Sequence, residues 1–92
     1  MNLQERIQLW LENTVTEDVE ILMAENLLEA FIGLQVDGTD TVRAVYDADK
    51  ILSILVREGM TYEDALEYYE FNISGAYVGP GTPIFINRFP EA

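Results

Sequence analysis

Glu63, Glu67 and Glu70 recur at i, i+4 and i+7, a spacing that lines three carboxylates along one side of a helix. Asp64 lies among them, and no lysine or arginine occurs between Thr61 and Asn87. Like charges at this spacing repel by about a few tenths of a kcal/mol per pair, with no local compensation. Such a stripe is a solvated face, a contact strip for Lys and Arg of a partner, or a divalent-cation site. The last needs oxygen ligands converging from several directions, which one straight stripe does not provide, so no metal is expected. Tyr68, Phe71 and Tyr77 follow closely, and aromatics beside carboxylates suit an interface and a small core equally. As an interaction surface, the set is Glu63, Glu67, Glu70, Tyr68, Phe71 and Tyr77, joined by Asp37 and Asp40.

The next segment, Ser74 to Pro83, holds Gly75, Gly79 and Gly81 with Pro80 and Pro83. Closely spaced glycines signal unusual backbone angles or the near approach of another group. A phosphate cradle would require a Gly-Lys-Ser/Thr element or a G-x-G-x-x-G run after a strand, and neither is present. Pro80 even removes one donor N–H. The segment reads either as a tight turn, with Asn72 capping or bridging backbone groups, or as part of a small-ligand site. That site would comprise Lys50, Asn72, Gly75, Tyr77, Gly79 and Thr82.

Catalysis has little to stand on. The chain has no histidine and no cysteine, which removes the commonest general base, thiol chemistry and zinc–thiolate sites. Ser53 and Ser74 have no evident activating partner; Asp47 and Asp49 could be paired carboxylates but also read as the cap and first turn of a helix, and Lys50 reads as a ligand-facing cation or as the ion-pair partner of Asp47 or Glu58. The expectation is a protein that is not an enzyme and uses no cofactor.

The elements that position these residues follow from periodicity. Leu3, Ile7, Trp10 and Leu11 predict an amphipathic helix over 3–12, ended by Asn13 and Thr14. Thr16 reads as the N-cap of a second helix, with Glu17 and Asp18 in its first turn, running to about Ala30. Its apolar residues cover more than half its circumference, which means a central position or a partner, and a central position is expected. Ile32, Leu34 and Val36 alternate at strand period, 37–40 is a turn cluster, and Thr41–Tyr46 is a second β-rich run, together an antiparallel hairpin. A third helix opens near Asp47 or Asp49 and stops at Glu58-Gly59. Thr61 caps a fourth, which runs to about Ile73. Ile84 to Phe89 supplies a last strand pairing with the hairpin. The expected fold is α+β: about four helices on a small antiparallel sheet, in one domain spanning 1–92.

Composition bounds the rest. Seventeen Asp and Glu against five Lys and Arg give a net charge of −12, which opposes direct binding to nucleic acid or anionic membrane. The same charge keeps a small domain in solution or steers it to a basic partner. No apolar run is long enough to span a bilayer and no signal-peptide pattern opens the chain, so a cytoplasmic location is expected.

The runs Glu-Tyr-Tyr-Glu-Phe-Asn at 67–72, Gly-Ala-Tyr-Val-Gly at 75–79 and Thr-Pro-Ile-Phe at 82–85 resemble a family of small acidic proteins of phages and prophages. Val-Tyr-Asp at 45–47 and Glu-Gly-Met-Thr-Tyr-Glu-Asp-Ala at 58–65 fit the same pattern, as do Tyr46, Asp47 and Lys50 by residue type. The resemblance covers the C-terminal two-thirds and implies a viral context, with no activity attached. Combined with the charge, it leads to the expectation of a phage-type protein in the host cytoplasm that binds a host protein with a basic surface. An anti-CRISPR or other anti-defence inhibitor is the concrete form. A nucleotide- or signal-binding module and a homo-oligomeric accessory protein assembling through Leu3, Ile7, Trp10 and Leu11 are the alternatives.

Overall fold

The structure is a computed structural model, and it describes residues 1–15, 19–36 and 41–90. Helix α1 (Leu3–Thr14) begins with a capping box: the Asn2 side chain accepts from the Glu5 N–H at 2.8 Å, and the Glu5 carboxylate accepts from the Asn2 N–H. It runs two residues past the expected end, through Asn13 and Thr14, and Asn13 Nδ2 donates to the Leu9 carbonyl.

The expected second helix is corrected. The cap Thr16 and the first-turn residues Glu17 and Asp18 lie outside the described residues. Of the remainder, Val19 to Ala24 has no helical structure and only a 3₁₀ segment, Glu25–Ala30, forms. From Val19 to Met23 burial alternates, with Glu20 and Leu22 exposed between Val19, Ile21 and Met23, which is the period of extended chain and not of a helix. Here the chain instead lays Ile21, Met23 and Ala24 along the core. The Ala24 N–H donates to the Tyr46 hydroxyl at 2.8 Å, which pins this segment from within.

Strands β1 (Phe31–Val36) and β2 (Val42–Asp47) form the antiparallel hairpin, with a bulge between Phe31 and Gly33. β2 is central, and Val42, Ala44 and Tyr46 on one face are buried. Strand β3 (Ile84–Ile86) pairs with β2 in parallel, Val45 opposite Ile84 and Tyr46 opposite Phe85, so the sheet is mixed rather than antiparallel throughout. Parallel neighbours need a long crossover, and residues 48–83, with all the remaining helices, supply it.

Asp47 caps helix α2 (Ala48–Arg57), its carboxylate accepting from the Lys50 N–H. Ile51, Leu52, Ile54 and Leu55 are buried, as their spacing requires. The helix closes in a Schellman motif: Met60 N–H donates to Leu55 O and Gly59 N–H to Val56 O, with Gly59 at φ 115°. Thr61 then caps helix α3 (Tyr62–Tyr68), accepting from the Asp64 N–H at 3.1 Å. The helix does not continue as α to Ile73. A π turn, Tyr69–Ser74, extends it. The class is α+β, with the core cluster between β2, α2, the 3₁₀ segment and Ala65 of α3.

Candidate functional site

A chain of aromatic rings crosses the molecule and leads to the site. Trp10 meets Phe31 edge-on, Phe31 meets Tyr46, Tyr46 stacks on Phe85 at 5.8 Å, and Phe85 meets Tyr69 edge-on at 5.9 Å. Burial raises the Tyr46 phenol above its usual range, the Ala24 hydrogen bond opposing it. Tyr69 shifts the same way by burial, opposed by its hydrogen bond with Ser74 and reinforced by the charge of Asp49. Both rings are structural anchors with their polar ends engaged.

Beside this chain lies an apolar groove of about 550 Å³. Met23, Leu27, Leu55, Met60, Ile73 and Phe85 are among its apolar lining residues. Asn26, Glu58, Asn72 and the phenol-bearing Tyr68 are its polar side chains. Among the described residues, neither asparagine amide has a hydrogen-bond partner. A second concavity of about 500 Å³ adjoins it, lined by Met60, Asp64, Glu67, Tyr68, Phe71 and Asn72. Met60, Tyr68 and Asn72 belong to both, so the two form one continuous surface.

The expected contact residues are partly brought together. Glu67, Tyr68 and Phe71 share the second concavity, and Phe71 is 75% exposed. Glu63 and Glu70 are exposed on the same helical run. Glu63 and Glu67 lie on α3, and Glu70 is the second residue of the π turn that extends it. Tyr77 is exposed but lines neither concavity. Asp37 and Asp40 lie outside the described residues.

The expected ligand set disperses. Of Lys50, Asn72, Gly75, Tyr77, Gly79 and Thr82, only Asn72 lines the groove. Lys50 is exposed in the first turn of α2, where its charge helps to lower the Glu29 carboxyl. The glycine loop is a closed turn. Thr82 Oγ1 accepts from the Val78 N–H at 2.9 Å and donates to the Gly79 carbonyl, while the Thr82 N–H donates to that same carbonyl. Arg43 Nε donates to the Pro80 carbonyl and ties the loop to the sheet. Gly79 is at φ 108°, a conformation closed to most side chains, and a Cβ on Gly75 would stand 2.6 Å from the Glu70 carbonyl oxygen. The glycines therefore answer to the turn and to the end of the π segment. Asn72 does not bridge that turn.

Asp47 has structural duties: it caps α2 and its carboxylate lies 3.9 Å from Arg88. Ser53 donates to the Asp49 carbonyl and Ser74 is held by Tyr69. Arg57 grips Glu29 with two hydrogen bonds of 2.8 and 3.0 Å, which lowers the carboxyl and raises the guanidinium. Among the described residues, no group of three or more acidic side chains converges as a metal site. No described helix is long and apolar enough to cross a membrane.

What the sequence reading missed is the groove itself. Met23, Met60 and Phe85 come from three separate stretches, and only the parallel docking of β3 beneath the π turn unites them.

The geometry thus defines an α+β domain with an apolar groove opening onto an acidic, aromatic face. No protein-family model matches the chain, and no curated protein or solved structure matches it either.

Proposed function

We propose that this protein works by binding: a small acidic, non-enzymatic module that docks on a basic surface of a partner protein and alters its activity. The observation that carries this reading is the second concavity, where Asp64 and Glu67 sit beside exposed Tyr68 and Phe71 and no lysine or arginine lines the surface. Carboxylates steer a basic partner into contact, and aromatics supply rigid area that desolvates well once contact is made. The net charge of −12 acts in the same direction at longer range.

The resemblance of 67–72 and 75–79 to phage proteins suggests the setting. The partner is then a host nucleic-acid-binding protein, such as a CRISPR effector or another defence enzyme, and the carboxylates stand where phosphates would lie. The test is capture from bacterial lysate at low and high salt, followed by competition with nucleic acid for the captured protein. A nucleic-acid-binding protein released by salt, displaced by its own nucleic acid and lost in the triple variant E63K/E67K/E70K is the expected result. Capture indifferent to salt and to these reversals overturns the electrostatic reading.

A further inference from the structure

The groove beside the acidic face has an occupant that its chemistry specifies. Its walls are aliphatic and thioether side chains, among them Met23 and Met60, and methionine's unbranched, polarizable chain adapts to varied apolar shapes. Its volume of about 550 Å³ matches a few apolar side chains. The charged side chains along the groove and its neighbouring concavity are Glu58, Asp64 and Glu67, with no cation among them. Three of the four arginines are engaged by other groups: Arg43 by the Pro80 carbonyl, Arg57 by Glu29 and Arg88 by Asp47. Asn26 and Asn72 each present an amide donor and acceptor at the groove, the pair of functions a peptide group offers in return.

We infer that the groove receives a short apolar segment of the partner flanked by lysine or arginine, its apolar side chains in the groove and its cations over Glu58, Asp64 and Glu67. This rests on the binding reading above and adds to it the recognition element. Charge alone would accept any basic surface. An apolar pocket beside the charge selects basic surfaces that also present an apolar anchor, and so separates a protein partner from a merely cationic one.

Two of the three methionines, Met23 and Met60, line the groove, while Met1 lies on the exposed N-terminus. Carbon-13 labelling of the methionine methyls therefore reports occupancy directly and carries its own control. The probes are an amphipathic Leu/Lys peptide, the same peptide with each Leu replaced by Ser, and a Leu/Glu counterpart. The Leu/Lys peptide is expected to shift the Met23 and Met60 methyl signals and leave Met1 in place. The Ser/Lys peptide should bind at least tenfold more weakly and the Leu/Glu peptide not at all. Ala76→Trp, which fills the groove from its exposed rim, should weaken Leu/Lys binding at least tenfold with an unchanged circular dichroism spectrum. Val78→Trp serves if that variant does not fold. Equal binding of Ser/Lys and Leu/Lys, with silent methyls, overturns the groove while leaving the acidic surface intact. Equal binding of Leu/Glu overturns the charge pairing. Binding of none of the peptides overturns the inference, and lysate capture then judges the acidic-surface reading separately.

Discussion

Helix α2 and the α3–π run that follows it are both amphipathic in sequence, and they are used in opposite ways. α2 buries Ala48, Ile51, Leu52, Ile54 and Leu55, whereas the run from Tyr62 to Ser74 buries only Ala65. The difference lies in position. α2 packs against β2 and the 3₁₀ segment, while α3 touches the core along one side and ends in a π turn that throws Phe71 outward. A small domain with a modest core has invested its apolar residues unevenly. α2 holds the fold together, and α3 displays residues that the fold does not need.

The sharpest way to break that contrast is Ile51→Ala. Ile51 is fully buried, so truncation should cost about 3 kcal/mol and lower Tm by roughly 15 °C in a thermal melt. Gly75→Ala comes next. Its Cβ meets a backbone carbonyl, which cannot swing aside, so about 2 kcal/mol should be lost. Hydrogen exchange should show that loss concentrated in the π turn, leaving α2 protected.

Tyr46→Phe should cost about 1 kcal/mol at neutral pH, because the Ala24 N–H loses its acceptor. It should also change the alkaline limb. The raised phenol means that the folded state holds its proton more tightly than the unfolded chain does. Stability is therefore complete below the ordinary tyrosine value of 10.0 and falls as pH rises through the folded one. Denaturant midpoints measured across that range should decline in the wild type and decline less in the variant, with Tyr69, also raised by burial, contributing to what is left. The smallest effect on stability belongs to Phe71→Ala, within about 0.5 kcal/mol, though it should weaken partner binding. If Phe71→Ala destabilised as much as Ile51→Ala, the contrast between the two helices would fail.

The sequence makes the hairpin, α2 and the start of α3 legible because local rules set them: strand alternation, Asp47 and Thr61 as caps, Gly59 as the stop. The stretch 19–24 is not legible in this way. Its backbone is decided by a partner 22 residues away, the Tyr46 hydroxyl, which no local periodicity records. Ile84–Ile86 is recognisable as a strand, but its direction depends on how much chain must cross over before it, and antiparallel pairing was the simpler expectation. For the site, the acidic and aromatic residues of α3 stand out in one short window. The groove beside them does not, since its walls meet only through long-range packing.

The parallel pairing of β3 has a kinetic side. Joining Ile84–Ile86 to β2 closes a loop of residues 48–83, at an entropic cost on the order of 3 kcal/mol for a flexible chain, for a strand of three residues. Such a strand is expected to join late in folding and detach early, which hydrogen exchange at Ile84–Ile86 would show as opening well below complete unfolding. Phe85 leaves with it, and Phe85 lines the groove. The groove is thus expected to be the last part of the molecule to form, and any ligand that filled it would also lock the final strand in place.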